Sequence, residues 1–463
     1  MDNHTTDNQL ARPFNLKTMA RFSLPTMAMM VMLSLYTIVD GLFVSNFVGT
    51  DALSSINILM LVIALINGVG IMFASGGSAI VARKQGQGMN QRANELFTSI
   101  ILTAMGLGCI FLIVGCSLNT QICQLLGATD RLLPYCTDYA LFLYLFAPIT
   151  IFKSLSDTFL ITAGKPHMAL VASIAGGVTN VLLDYLFIGV LGTGVMGAAI
   201  ATGLGQVVSG GIALIVFLNH KNVLHLTKPV FRIRSLLETV TNGSSELVTS
   251  LASGITSLLF NYSMLRYVGE DGVAAMTIAN YSIFLILPMF MGMFMGVAPL
   301  VSYNYGKGDK KQLHKIFRTC CVILAIFSGI FFALLELIAP LMIQMFANGN
   351  EAVAQLARHG MVIFSFCMLF LGLNIFSSSF FTSLSNGLLS AVLSFSKNLI
   401  FVVAGIFLLP LMFDLNGIWL TIPVSEFFGA ILSVTFLLIY RKKYGYGGKY
   451  VETPPVLDSA SEM

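Results

Sequence analysis

Stretches of roughly 20 apolar residues, the length needed to cross a bilayer core, follow one another along the chain with only short polar breaks. They fall at 22–47, 56–82, 94–117, 133–157, 167–190 and 194–218, then at 239–264, 273–303, 314–339, 353–378, 387–411 and 416–440. In lipid each run must satisfy its own backbone hydrogen bonds, and a helix does so. The pattern predicts an all-α membrane protein with twelve transmembrane helices in two six-helix bundles. The longest basic connection carries Lys221, Lys228, Arg232 and Arg234 and divides the runs six and six. The expected organisation is an N-terminal tail (1–20), a first bundle (21–220), a linker (221–237), a second bundle (238–441) and a C-terminal tail (442–463).

An internal repeat relates the two sets of runs. Val48-Gly49-Thr50-Asp51-Ala52 returns as Val268-Gly269-Glu270-Asp271-Gly272, and the 220-residue offset carries Gly76 onto Gly296 and Gly86-x-Gly88 onto Gly306-x-Gly308. Parallel repeats of this kind let transporters build a central path between two similar bundles. At this offset Phe260 stands where Asp40 would be, and Ala404 or Gly405 where Asp184 would be.

Composition agrees with lipid as the solvent: 56% hydrophobic residues, 10% charged and a mean hydropathy of +0.85. The net charge of +4 gives no sign of a nucleic-acid partner. Its distribution is more telling. Arg12, Lys17, Arg21, Arg83, Lys84, Arg92, Lys165, the linker, Lys307 to Arg318 and Arg441 to Lys449 fall on one side, and only Arg131, Arg266 and Arg358 on the other. The positive-inside rule then places both termini in the cytoplasm. The polar first twenty residues do not form a cleavable signal, so the first run reads as an uncleaved anchor. Seven cysteines without metal or redox spacing read as small apolar residues, with no disulfide expected between Cys123 and Cys136.

A charge within a span costs about 2.5–3.5 kcal/mol on insertion scales and needs a reason. Asp40, Asp157, Asp184, Glu246, Glu336 and Glu426 are such acids, and Lys153 and Lys397 such bases. Depth sorts them. Asp40 in span 1, Asp184 and Asn180 in span 5, and Thr202 in span 6 lie at similar depth in the outer half of the first bundle, with Asn180 and Asp184 on one helix face. Two carboxylates, an amide oxygen and a hydroxyl could hold Na⁺ as hard oxygen ligands. Alternatively, two crowded carboxylates could exchange a proton near neutral pH. Both chemistries remain open, as does a purely structural use in which Asp40 caps a bend.

The second bundle offers Lys397 and Glu426, expected as a buried ion pair, and Glu246, which could reach a central cavity or face the linker. Lys153 and Asp157, four apart, are expected to pair along one helix face and snorkel toward water. Glu336 is expected at the interface. In the run Met289 to Met295 only one face, such as Met291 with Met295, can line a cavity and offer an adaptable surface. Pro25, Pro148, Pro288, Pro299 and Pro423 fall within spans, and bending at Pro25 could couple Asp40 to the shape of span 1.

No P-loop, zinc-protease or serine-hydrolase signature is present, so neither ATP-driven pumping by this chain nor enzymatic activity is expected, and no cofactor is implied. Taken together, Pro25 and Asp40, the repeated loop down to Gly86-x-Gly88, Ala163-Gly164-Lys165-Pro166, Asn180-Val-Leu-Leu-Asp184 and Gly197 to Thr202 resemble the multidrug and toxic compound extrusion (MATE) family. The last of these recurs as Gly417 to Thr421 with Glu426. The resemblance, which points to the DinF/MepA-like bacterial branch, covers residues 18–441. It implies two six-helix lobes in the cell inner membrane and a monomeric antiporter. Such an antiporter exports cationic, amphipathic drugs in exchange for H⁺ or Na⁺. Its cation site maps onto Asp40, Asn180, Asp184 and Thr202, the same four residues that depth collects. A flippase for a lipid-linked precursor shares the two-lobe plan and is the alternative.

Overall fold

The computed structural model describes residues 8–48, 50–347 and 350–447, so Gly49, Lys449 and the outermost parts of both expected tails lie outside the described residues. The first half contains α1 (Leu16–Phe43), α2 (Thr50–Ile58), α3 (Met60–Gly86), α4 (Asn90–Ser117), α5 (Asn119–Leu125), α6 (Leu133–Leu145), α7 (Ala147–Thr162), α8 (Pro166–Asp184) and α9 (Gly194–Leu218). The second contains α10 (Ile233–Tyr267), α11 (Glu270–Lys307), α12 (Lys310–Phe346), α13 (Glu351–Phe364), α14 (Met368–Ser383), α15 (Gly387–Phe395) and α16 (Val402–Tyr444).

Among the described residues nine helical stretches are long and apolar enough to cross a bilayer. Three features of the sequence account for the other passes. Span 4 is the pair α6 and α7, bent by 54° where Pro148 opens α7 without an N–H to donate. The stretch Gly387–Tyr444 holds two spans, because Asp414 (φ +47°) breaks the helix between them. Finally α10, 35 residues long, is a span that polar side chains such as Thr239, Asn242, Ser245 and Glu246 make less apolar than its neighbours.

The halves meet through α1 on α11 and α3 on both α10 and α11. Glycines set this contact at the end that carries the chain termini. A Cβ on Gly86 would strike the Tyr303 carbonyl, and one on Gly306 the Arg83 carbonyl. Because 83 and 86 map onto 303 and 306 by the repeat, α3 and α11 cross on the pseudo-twofold axis. Arg83 of α3 also bonds Glu238 of α10 at 2.8 Å. At the opposite end, Gly41 of α1 and Gly254 of α10 have nothing within 4 Å of a Cβ position among the described residues.

The same close approaches correct the register of the repeat. Gly296 packs on Phe22 and Thr26, whereas its counterpart Gly76 packs on Thr239 and Gly243. Span 1 therefore maps onto span 7 with an offset of 217, and the position opposite Asp40 is Ser257 rather than Phe260. The extra residues lie in α10, which is longer than α1. Likewise α10 starts at Ile233, within the stretch expected as linker. The preceding segment lies along α4, where the His225, Thr227 and Val230 N–H groups donate to Asn94 (3.3 Å), Thr98 (3.0 Å) and Ser99 (3.0 Å). All seven cysteines are free thiols.

Candidate coupling site and central cavity

Between the halves lies a cavity of about 510 Å³. Asp40, Lys153 and Thr202 line it from the first half, and Glu246, Met291, Met295 and Lys397 from the second. The neighbouring Phe290 and Met293 are buried in the bundle instead, as the turn of a helix requires.

Asp40 reaches the cavity wall; Asp184 and Asn180 lie behind it, fully buried. The two carboxyl groups are neighbours. The Asn180 amide donates to the Thr202 hydroxyl at 3.3 Å. The structure thus brings together the four residues that depth singles out. A bond between two carboxyl groups needs a shared proton. Without one, both Asp184 oxygens, Asp40 Oδ1 and Asn180 Oδ1 are buried with no donor. Such orphaned oxygens are costly. A proton between the acids would relieve the strain, and so would a hard cation held by Asp40, Asp184, Asn180 and Thr202.

Backbone geometry supports the placement. Immediately beyond Asp40 α1 widens into a π-helical turn at Val44–Val48, and directly after Asp184 α8 does the same at Tyr185–Val190. Such turns are rare, and they frequently mark functional sites because they redirect side chains. In the second half Gly405 lies against Thr421, whose hydroxyl bonds its own helix at Gly417.

Lys153 and Asp157 form an ion pair at 2.7 Å, but they do not snorkel. Both line the cavity, because the bend ahead of α7 leaves Lys153 mid-helix, away from either interface. Glu336 accepts a hydrogen bond from Ser365 at 2.5 Å and so joins spans 9 and 10. Lys397 and Glu426 pair at 3.0 Å. Asn374 donates to Glu426 Oε2 at 2.6 Å and is held in turn by the Ser433 hydroxyl at 2.8 Å. A carboxylate this enclosed depends on its partners. Lys397→Met is expected to cost about 3–5 kcal/mol by leaving Glu426 unpaired. Adding Glu426→Gln should restore most of the loss, as read in thermal unfolding midpoints.

Glu246 also faces the cavity and has no ion-pair or hydrogen-bond partner among the described residues. Asn374, Gln206 and Tyr36 line the cavity too. A search for charges passes over these three. Their signal is an uncharged polar side chain interrupting an apolar run, and for Tyr36 its position one turn before Asp40.

Residues 25–186 and 247–407 each match the family model described as MatE. The chain belongs to the MATE family. Among its relatives, the multidrug export protein MepA of Staphylococcus saprophyticus is 22% identical over 434 residues, with 92% of this chain and 94% of that protein covered. A crystal structure of MATE in complex with MaL6 superposes with a TM-score of 0.89 at 22% identity, covering 94% of this chain and 98% of that one. An outward-facing multidrug resistance MATE family transporter of the MOP superfamily gives 0.87 at 23% identity, covering 96% and 99%. The two matched segments fall one in each half, as two copies of a single MATE unit must.

Proposed function

We propose that this chain is a multidrug antiporter of the cell inner membrane, exporting cationic, amphipathic compounds in exchange for H⁺ or Na⁺, with both termini in the cytoplasm. The observation that carries the reading is the pairing of fully buried Asp184 with Asp40, which is reached from the central cavity. Cation binding relieves the orphaned oxygens of this pair and repacks α1 against α8, so the two exposures of the cavity differ in cation affinity. Both walls of the cavity come from one chain, so the monomer is the transport unit. The domain boundaries that fit are a first lobe ending at α9 and a second beginning at α10. With the basic end of the bundle in the cytoplasm, the glycine contact closes the cavity from the inside.

A flippase for a lipid-linked precursor would need free cations to meet phosphates. Here Lys153 and Lys397, the two lysines of the cavity, are each engaged by a carboxylate. The deciding experiment loads proteoliposomes with a fluorescent organic cation and imposes a Na⁺ or an H⁺ gradient in turn. Gradient-dependent export is expected with one of the two ions. Movement of a labelled lipid precursor instead, or no dependence on either gradient, would reject the reading.

A further inference from the structure

The exposed face of α12 changes character along its length. Lys311, Lys315 and Arg318 point outward in its first turns, and Val322, Ile326 and Ile330 continue the same face, each about half exposed. Seven residues of helix span roughly 10 Å, so the three cations form one column at the head of an apolar stripe that faces lipid. Leu16 at the start of α1 stands opposite, enclosing a groove of about 770 Å³ with Gln312 and Thr319 in its wall. None of the three cations makes an ion pair or hydrogen bond with any described residue.

The repeat shows that this charge is not required by the fold. At the same level of α4 the counterparts of Lys311, Lys315 and Arg318 are Gln91, Glu95 and Thr98. There the chain covers itself: the linker lies over α4 and donates N–H groups to Thr98 and Ser99. In the second half the equivalent surface carries three cations, and among the described residues no segment bonds across it as the linker does across α4. Topology signals alone would favour cations equally in both halves. A basic groove at the head of a lipid-facing helix fits a lipid phosphate, with acyl chains continuing along the apolar stripe. We propose that this groove binds an anionic phospholipid, its phosphate held between Lys315 and Arg318 and its chains lying on Val322 and Ile326.

The test uses the purified full chain in detergent and reads bound lipid by native mass spectrometry, with phosphatidylglycerol, phosphatidylcholine or inorganic phosphate added. Wild type is expected to retain phosphatidylglycerol at least tenfold better than phosphatidylcholine. The triple variant Lys311→Gln, Lys315→Glu, Arg318→Thr, which installs the α4 residues, should lose that preference. Lys315→Gln alone, a milder change, should weaken it severalfold and covers the case in which the triple variant misfolds. Equal retention of the two lipids, an unchanged preference in both variants, or displacement by equimolar inorganic phosphate would each overturn the proposal. So would a preference that arises only after truncation beyond Gly447, since the chain's own acidic C-terminal residues Glu452, Asp458 and Glu462 would then be the natural occupant.

Discussion

Asp40→Asn is expected to reduce the drug resistance conferred by this chain to that of cells lacking it, with the amount of protein in the membrane unchanged. Asparagine keeps the volume of the side chain but cannot gain or lose a proton, and its amide can donate to Asp184 permanently. Asp184 would then have a donor that no gradient supplies or removes. A cation drives transport only through a difference in its affinity for two states. Such coupling is typically 1–3 kcal/mol, or roughly 5–150-fold in affinity. Its removal should leave drug binding measurable in detergent while abolishing gradient-driven export from proteoliposomes. Asp184→Asn should behave alike. Asn180→Ala should weaken coupling less, because it removes a ligand and leaves both charges. Full export by Asp40→Asn would move the coupling site elsewhere, and Glu246 would become the next residue to replace, as a cavity carboxylate without a partner among the described residues.

The asymmetry of charge between the halves gives this expectation its force. Both lobes have a span that passes into a π-helical turn, Tyr185–Val190 late in span 5 and Ser396–Phe401 earlier in span 11. Only the first puts an acid there beside a second acid. In the second lobe the turn carries Lys397, already satisfied by Glu426. One lobe therefore holds oxygens that call for a cation, and the other a neutralised pair.

Much of this was legible in the amino-acid sequence because membrane helices are written in long apolar runs, and because a carboxylate within such a run is costly enough to be conspicuous. Depth alone brought Asp40, Asn180, Asp184 and Thr202 to one level, since rise per residue is fixed in a helix. Side-chain direction was less legible. Lys153 and Asp157 read as a snorkelling pair because the bend before α7, which carries them to the cavity, depends on how Pro148 packs. Indeed Pro148 lies against Gly108 of α4. The register of span 1 against span 7 was less legible too, because the 220-residue offset holds in the loop after span 1 and not within the span. Helix α10 absorbs extra residues before that loop, and only the glycine contacts expose the slip. Polar but uncharged positions such as Asn374 left no mark against a criterion based on charge.

Those glycines support the second large effect. Gly86→Ala and Gly306→Ala are each expected to shift the protein away from the conformation described here and to slow export about tenfold or more. At both positions the added Cβ would meet backbone, the Tyr303 carbonyl in one case and the Arg83 carbonyl in the other. A carbonyl within a helix cannot swing aside as a side chain can, so α3 and α11 must part. Overpacking of this kind costs about 1–3 kcal/mol, enough to change a two-state balance by roughly an order of magnitude. The cost falls only on the state in which the helices touch, and the Arg83–Glu238 bond at 2.8 Å would be strained with them. Gly254→Ala, with nothing within 4 Å, serves as the control and should leave export unchanged. In a cysteine-free background, Ser302→Cys reports the state. Ser302 is fully buried where α11 lines the floor of the cavity. A membrane-impermeant maleimide added from the side of the termini should label it faster in the Gly86→Ala and Gly306→Ala proteins than in the parent. Equal labelling together with a lowered unfolding midpoint would mean that the glycines only stabilise the bundle. Faster labelling with an unchanged midpoint would show that the crossing of α3 and α11 is the gate itself.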